Sequence, residues 1–189
     1  MRTRRAIGWA LAVVTATALA SPADRDGGGG TVVSTSVTVV GASPAQFELA
    51  RWAVSRFRAA GLELPPVEIR FHADRSGCGD HLGYYRSGVV DVCGTIVNLL
   101  ARRNLLHELA HAWAEANVTA ERRDRFLELR GLVSWNGRDV GWHERGFEHA
   151  AEILGWYLGD RILTPTLPDV EPKQIEAAVE ALTMDRLTT

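Results

Sequence analysis

Residues 105–113 read LLHELAHAW, and how these nine residues are read decides how the rest of the chain is understood. His107 and His111 are four apart, so on an α-helix they stand one turn apart on one face. There they can present both imidazoles to a single ion. Glu108 lies about 100° around the helix from His107, near enough to reach a water on that ion without taking a ligand position. The opposite stripe, Leu105, Leu109, Ala112, Trp113 and Ala116, is apolar and would anchor the helix in a core. The other side, mainly Asn104, His107, His111, Ala114 and Glu115, is too sparsely charged for an ordinary solvent face. H-E-x-x-H also arises by chance on helices whose histidines are merely satisfied core residues. Its setting mid-helix on an amphipathic segment favours a metal site, with His107 and His111 as ligands and Glu108 as general base.

A catalytic zinc usually takes three protein ligands and keeps one position for water. The third is sought in residues 141–159, GWHERGFEHAAEILGWYLG, a segment apolar almost all round and therefore expected to be buried. Glu148 and Glu152 share one face there, together with the small residues Ala151 and Gly155, which would let another helix approach closely. Two buried carboxylates without partners would cost several kcal/mol. Glu148 as a zinc ligand, with Glu152 accepting the Nδ1–H of a ligating histidine, gives both a partner. The swapped assignment stays open at this level. His143 and His149 are weaker candidates, the first because it precedes the regular helix, the second because it points toward Ile153 and Trp156.

The remaining elements follow from local patterns. The run 31–40, TVVSTSVTVV, is β-branched almost throughout and reads as one strand. Ser43, Pro44 and Gln46 form a helix start with a capping box, ahead of a buried stripe of Phe47, Ala50, Val54 and Phe57, and Gly61 ends that helix. Residues 67–72, VEIRFH, alternate as a half-buried strand does. Residues 78–93 look like a hairpin turning near Ser87 and Gly88, tied at its ends by Cys78 and Cys93. Helices are expected over about 102–117, 120–130, 144–158 and 172–183, the second capped by Thr119 and stopped by Gly131. Strand, helix, strands and then helices make the fold class α+β.

The chain ends bear on compartment. Arg2, Arg4 and Arg5 precede the short apolar run 6–20, which closes on Ala18-Leu19-Ala20, the pattern of a secretory signal peptide over residues 1–20. The run is shorter than the ~20 apolar residues of a membrane span, although uncleaved signals of such length exist as anchors. Cleavage removes three arginines and no acid, making the formal charge of −2 more negative. Residues 21–30, SPADRDGGGG, read as a flexible linker, and 31–189 as a single domain. Export to an oxidising compartment favours a Cys78–Cys93 disulfide over free thiols, and their separation matches no zinc spacing. Basic residues are scattered and Lys173 is the only lysine, so there is no nucleic-acid footprint.

HELAH at 107–111, followed 37 residues after His111 by EHAAE at 148–152, resembles the gluzincin metallopeptidases. It is also similar to small secreted zincin-like proteins of actinobacteria. The resemblance covers about residues 65–160, and its two helical motifs are the specific part. It implies a zincin-like fold, a small mixed sheet over two zinc-binding helices, whose edge strand pairs with an extended peptide. That strand would fall within Val89–Cys93. It implies Zn2+ as cofactor, a peptide or protein as substrate, and no membrane association once the signal is cleaved. The chain is expected to act as a monomer. One departure is that no motif supplies a second donor for the oxyanion. Tyr84, Tyr85, His143 and Arg145 are the residues that could. The expected function is a secreted zinc peptidase; the alternatives are an exported zinc-binding module without turnover and an interaction domain that has lost its metal.

Overall fold

The computed structural model describes residues 30–184 apart from 35, 76, 162–166 and 168–170. The expected signal peptide and nearly all of the expected linker lie outside the described residues. Among these residues no helix is long and apolar enough to cross a membrane.

The β-branched run folds as two strands, β1 (Thr31–Ser34) and β2 (Val37–Val40), rather than one. They pair antiparallel, with an irregularity between Val32 and Ser34. β-propensity marks both arms but says nothing of a turn between them. Ser34 and Ser36 favour one, for short hydroxyl side chains bond locally and compete with a continuous ladder. The Ser34 and Ser36 hydroxyls lie 3.3 Å apart there.

Helix α1 (Pro44–Ala59) starts on the expected capping box: Ser43 Oγ accepts the Gln46 N–H, and the Gln46 side chain accepts the Ser43 N–H. Its buried stripe is Leu49, Ala50, Ala53, Val54 and Phe57, with Phe47 only half-buried. The strands β3 (Val67–His72), β4 (Gly83–Arg86) and β5 (Val89–Cys93) complete a sheet of order β1-β2-β3-β5-β4. β2, β3 and β5 are parallel; β1 and β4 flank them antiparallel. The strand expected at the edge, β5, is therefore interior, and β4 is the edge. The outer arm of a hairpin is set by which arm finds the parallel neighbour. Here Glu68 to His72 pair with Val89 to Cys93, leaving β4 outside.

One face of the sheet, Val37, Val39, Val67, Ile69, Phe71, Val90 and Val92, is buried. The other face is largely polar, with His72 and Asp91 paired at 2.6 Å, as one-sided sheets allow. Helices α1 and α2 (Leu99–Asn117) lie on the apolar face. α2 begins three residues before the expected start, because the Asn98 side chain accepts the Ala101 N–H and caps it there. Ala116 is exposed, so the apolar stripe of α2 ends at Trp113. Helix α3 (Ala120–Arg130) is capped by Thr119 and ended by Gly131 in the left-handed conformation, φ 64°. A 3₁₀ turn over Trp142–Glu144 precedes α4 (Gly146–Leu158), so the regular helix starts two residues later than expected. Loop carbonyls set that start: Ser134 O accepts the Gly146 N–H and Trp135 O the Phe147 N–H. α4 packs along α2, and α5 (Pro172–Thr183) closes against α3 and α4 with Ile175, Ala178, Val179 and Leu182.

Candidate metal centre

The α2–α4 interface carries the site. Ala150, Ala151, Ile153 and Leu154 of α4 are fully buried, and at Gly155 a Cβ would already sit 3.5 Å from the His107 backbone nitrogen. Small residues on this face bring the two helices close enough for side chains from both to converge. His107 Nε2 and His111 Nε2 lie 3.1 Å apart, and Glu148 Oε2 is 3.3 Å from the first and 3.1 Å from the second. This is the one group among the described residues with the composition and convergence to hold a metal ion.

An ion with bonds of about 2.1 Å separates adjacent donors by roughly 3.0 Å at right angles and roughly 3.4 Å at tetrahedral angles. The observed triangle falls in that range, so the donor set fits a cation. The other ring nitrogens, His107 Nδ1 and His111 Nδ1, are buried without a hydrogen-bond partner. His107 Nδ1 faces Glu152 Oε1 at 3.6 Å, too long for a hydrogen bond but in the direction expected of a carboxylate orienting a ligand. Burial pushes the His107 imidazolium down to about 4, keeping the ring neutral as a ligand must be. For Glu148, burial works upward, but the bonds from His107 and His111 outweigh it and hold the carboxyl at about 2.

Glu152 is 2% exposed and is held by an ion pair with Arg103, one turn before His107 on α2. Sequence reading missed Arg103. Its position four before His107 places it on the same face, but its partner is 49 residues away. Phe147 lies against the His111 ring at 4.3 Å and Trp142 stacks on His107 at 6.3 Å, walling the imidazoles with aromatic surface.

Glu108 is buried at the floor of a cleft of about 650 Å³ whose walls include Gly83, Tyr84, Asn104, Trp142, Arg145 and the three converging residues. Burial pushes its carboxyl up to about 7, while His111 and a hydrogen bond from the Tyr85 backbone pull the other way. Gly83 is what lets β4 come this near. A Cβ there would stand 2.3 Å from Asn104 Nδ2 and 2.9 Å from Glu108 Cγ. The edge strand thus runs over Glu108.

Tyr84, Tyr85 and Arg145 all line the cleft, but the Tyr85 hydroxyl is engaged, donating to Glu115 and accepting the Gly88 N–H. His143 lends its carbonyl to His149 Nε2 at 2.7 Å, so His149 anchors the 3₁₀ turn and stays away from the converging donors. Cys78 and Cys93 are disulfide-bonded, with Cα atoms 6.1 Å apart. Compared with models of protein families, with curated proteins and with solved structures, the chain finds no match.

Proposed function

We propose that this chain is a secreted zinc-dependent peptidase of zincin-like fold. The observation that carries the proposal is a single cleft holding three converging donors, a further buried carboxylate, Glu108, with no place among them, and above it a strand edge left unpaired among the described residues. His107, His111 and Glu148 hold the metal. Two imidazoles and a carboxylate suit several divalent ions, and Glu108 between the histidines in H-E-x-x-H selects zinc among them. Bound there, zinc makes its water acidic and polarises a carbonyl.

The rest is the work of the chain's own side chains. Glu108 accepts a proton from the attacking water and hands it to the departing amine, a role suited to a carboxyl that burial holds near neutrality. The unpaired edge of β4 offers backbone N–H and C=O groups to an extended peptide and lays its scissile bond across Glu108. Glu152, held by Arg103, keeps His107 oriented. Tyr84 and Arg145 are the cleft groups available to the oxyanion side. The Cys78–Cys93 bridge supports an oxidising destination, in line with the arginines and apolar run of residues 1–20.

The test is digestion of a peptide library by zinc-loaded protein, with Glu108→Gln as the blank and an iron-loaded sample as the metal control. Glu108→Gln is expected to keep stoichiometric zinc and to lose about 10²- to 10⁴-fold in rate. Indistinguishable digests from the two proteins would leave a zinc-binding module without turnover. Activity with iron alone would overturn zinc.

A further inference from the structure

Beside the metal cleft lies a second cavity of about 360 Å³, and no charged side chain lines it. Phe71, Leu82, Val92 and Leu100 supply its apolar walls, and Leu82 and Asn104 are walls of the metal cleft as well. At the rim the apolar surface goes on: Ile96, which also lines the chamber, is 74% exposed, and the neighbouring Leu99 54%. Solvent-facing residues of this size, grouped in one loop and one helical turn, mark a surface that is covered in use.

The direction of the chamber follows from how β4 lies on α2. Gly83 touches Asn104 and Glu108, while Tyr85, two residues on, reaches Glu115. β4 therefore runs beside α2 in the same sense, and the chamber sits before its first residue. A peptide added antiparallel to the edge carries its C-terminal half toward Leu82. On α2 the chamber extends from Asn104 to Asn98, roughly 4.5 to 13.5 Å before His107 at 1.5 Å per residue. An extended chain at about 3.3 Å per residue covers that distance with its second to fourth residues beyond the cut bond.

We propose that the chamber and its rim bind a short apolar segment of the substrate, about three residues long and starting about two residues to the C-terminal side of the scissile bond. Side chains of an extended chain alternate, so large apolar residues at two positions separated by one face the chamber together. This rests on the peptidase reading above and deepens it, giving a preference for polypeptides with exposed hydrophobic runs over uniformly polar ones.

The experiment measures binding rather than turnover, using zinc-loaded Glu108→Gln and two fluorescent decapeptides. They differ only in carrying Leu-Ser-Leu or Ser-Ser-Ser in the downstream segment. The Leu peptide is expected to bind roughly tenfold tighter or more. Ala101→Phe, which fills the chamber from α2, and Leu100→Asp, on the exposed rim, are each expected to remove that preference. Leu100 is 46% exposed, so the second variant folds even if the first does not. Equal binding of the two peptides, or a preference that survives Leu100→Asp, overturns the chamber. A preference without cleavage by unmutated protein sinks the peptidase reading and leaves the chamber standing.

Discussion

The metal cleft and the apolar chamber share helix α2, yet they are chemically opposite. The cleft gathers Arg103, His107, Glu108, His111, Arg145, Glu148 and Glu152; the chamber has no charged residue at all. The first turn of α2 is apolar and the third is ligating, so one helix meets two different demands along its length. Position along the helix separates recognition from chemistry, and the two are expected to fail independently.

Glu148→Ala is the strongest way to test that independence. Loss of one of three ligands is expected to weaken zinc binding on the order of 10²- to 10³-fold, about a quarter share of a full site. Binding of the leucine peptide would stay within a factor of two or so of the unmutated protein. Competition with a zinc chelator reads the first quantity and fluorescence anisotropy the second. A parallel fall in both would show that the chamber is propped open by the metal.

The disulfide joins the two regions, because Cys93 lines the chamber and the bridge closes the loop that contains β4. Replacing both cysteines by serine is expected to cost about 3 kcal/mol of stability for a loop of this length, read from the denaturant midpoint. Here both sites should suffer together. Glu152→Gln acts on the cleft alone. Loss of the carboxylate that pairs with Arg103 and faces His107 Nδ1 is expected to weaken zinc by about 10- to 100-fold with no change in leucine-peptide binding.

Tyr85 gives the smallest effect. Burial first, and then its bond to Glu115, hold the phenol up at about 12, against an ordinary 10.0. A raised acid favours the folded state below the unfolded value, so this contribution is complete under pH 10 and lost as pH climbs toward 12. Tyr85→Phe should flatten stability across that interval while keeping the ring that stacks on His111 at the cleft wall. A chemical-denaturation series in alkaline buffers measures it.

What could be read in advance divides along the same physical lines. His107, Glu108 and His111 were legible because helical spacing alone fixes their common face. Glu148 and Glu152 were legible because two acids inside an apolar helix need partners. The hairpin at residues 31–40 was hidden by uniform β-propensity, and the edge identity of β4 by the fact that pairing order is a tertiary choice. Arg103 was overlooked because its reason for being there, Glu152, lies on another helix. Gly83 carries no pattern of its own; only the Asn104 and Glu108 side chains beneath it explain the missing Cβ.

Arg103 has one more consequence, in the charge balance of the loaded site. In the proposed zinc-loaded site ligating imidazoles are neutral, and with Glu108 in the ionised form that a base requires, Glu108, Glu148 and Glu152 bring three negative charges against one positive from Arg103. A divalent cation takes that sum to zero, and at the rim Asp80 and Arg145 cancel each other. A cleft of zero net charge adds little to the field that the rest of the surface casts on an approaching chain. On the peptidase reading the cleft itself would not steer a substrate, and selection would fall to short-range contact with uncharged walls.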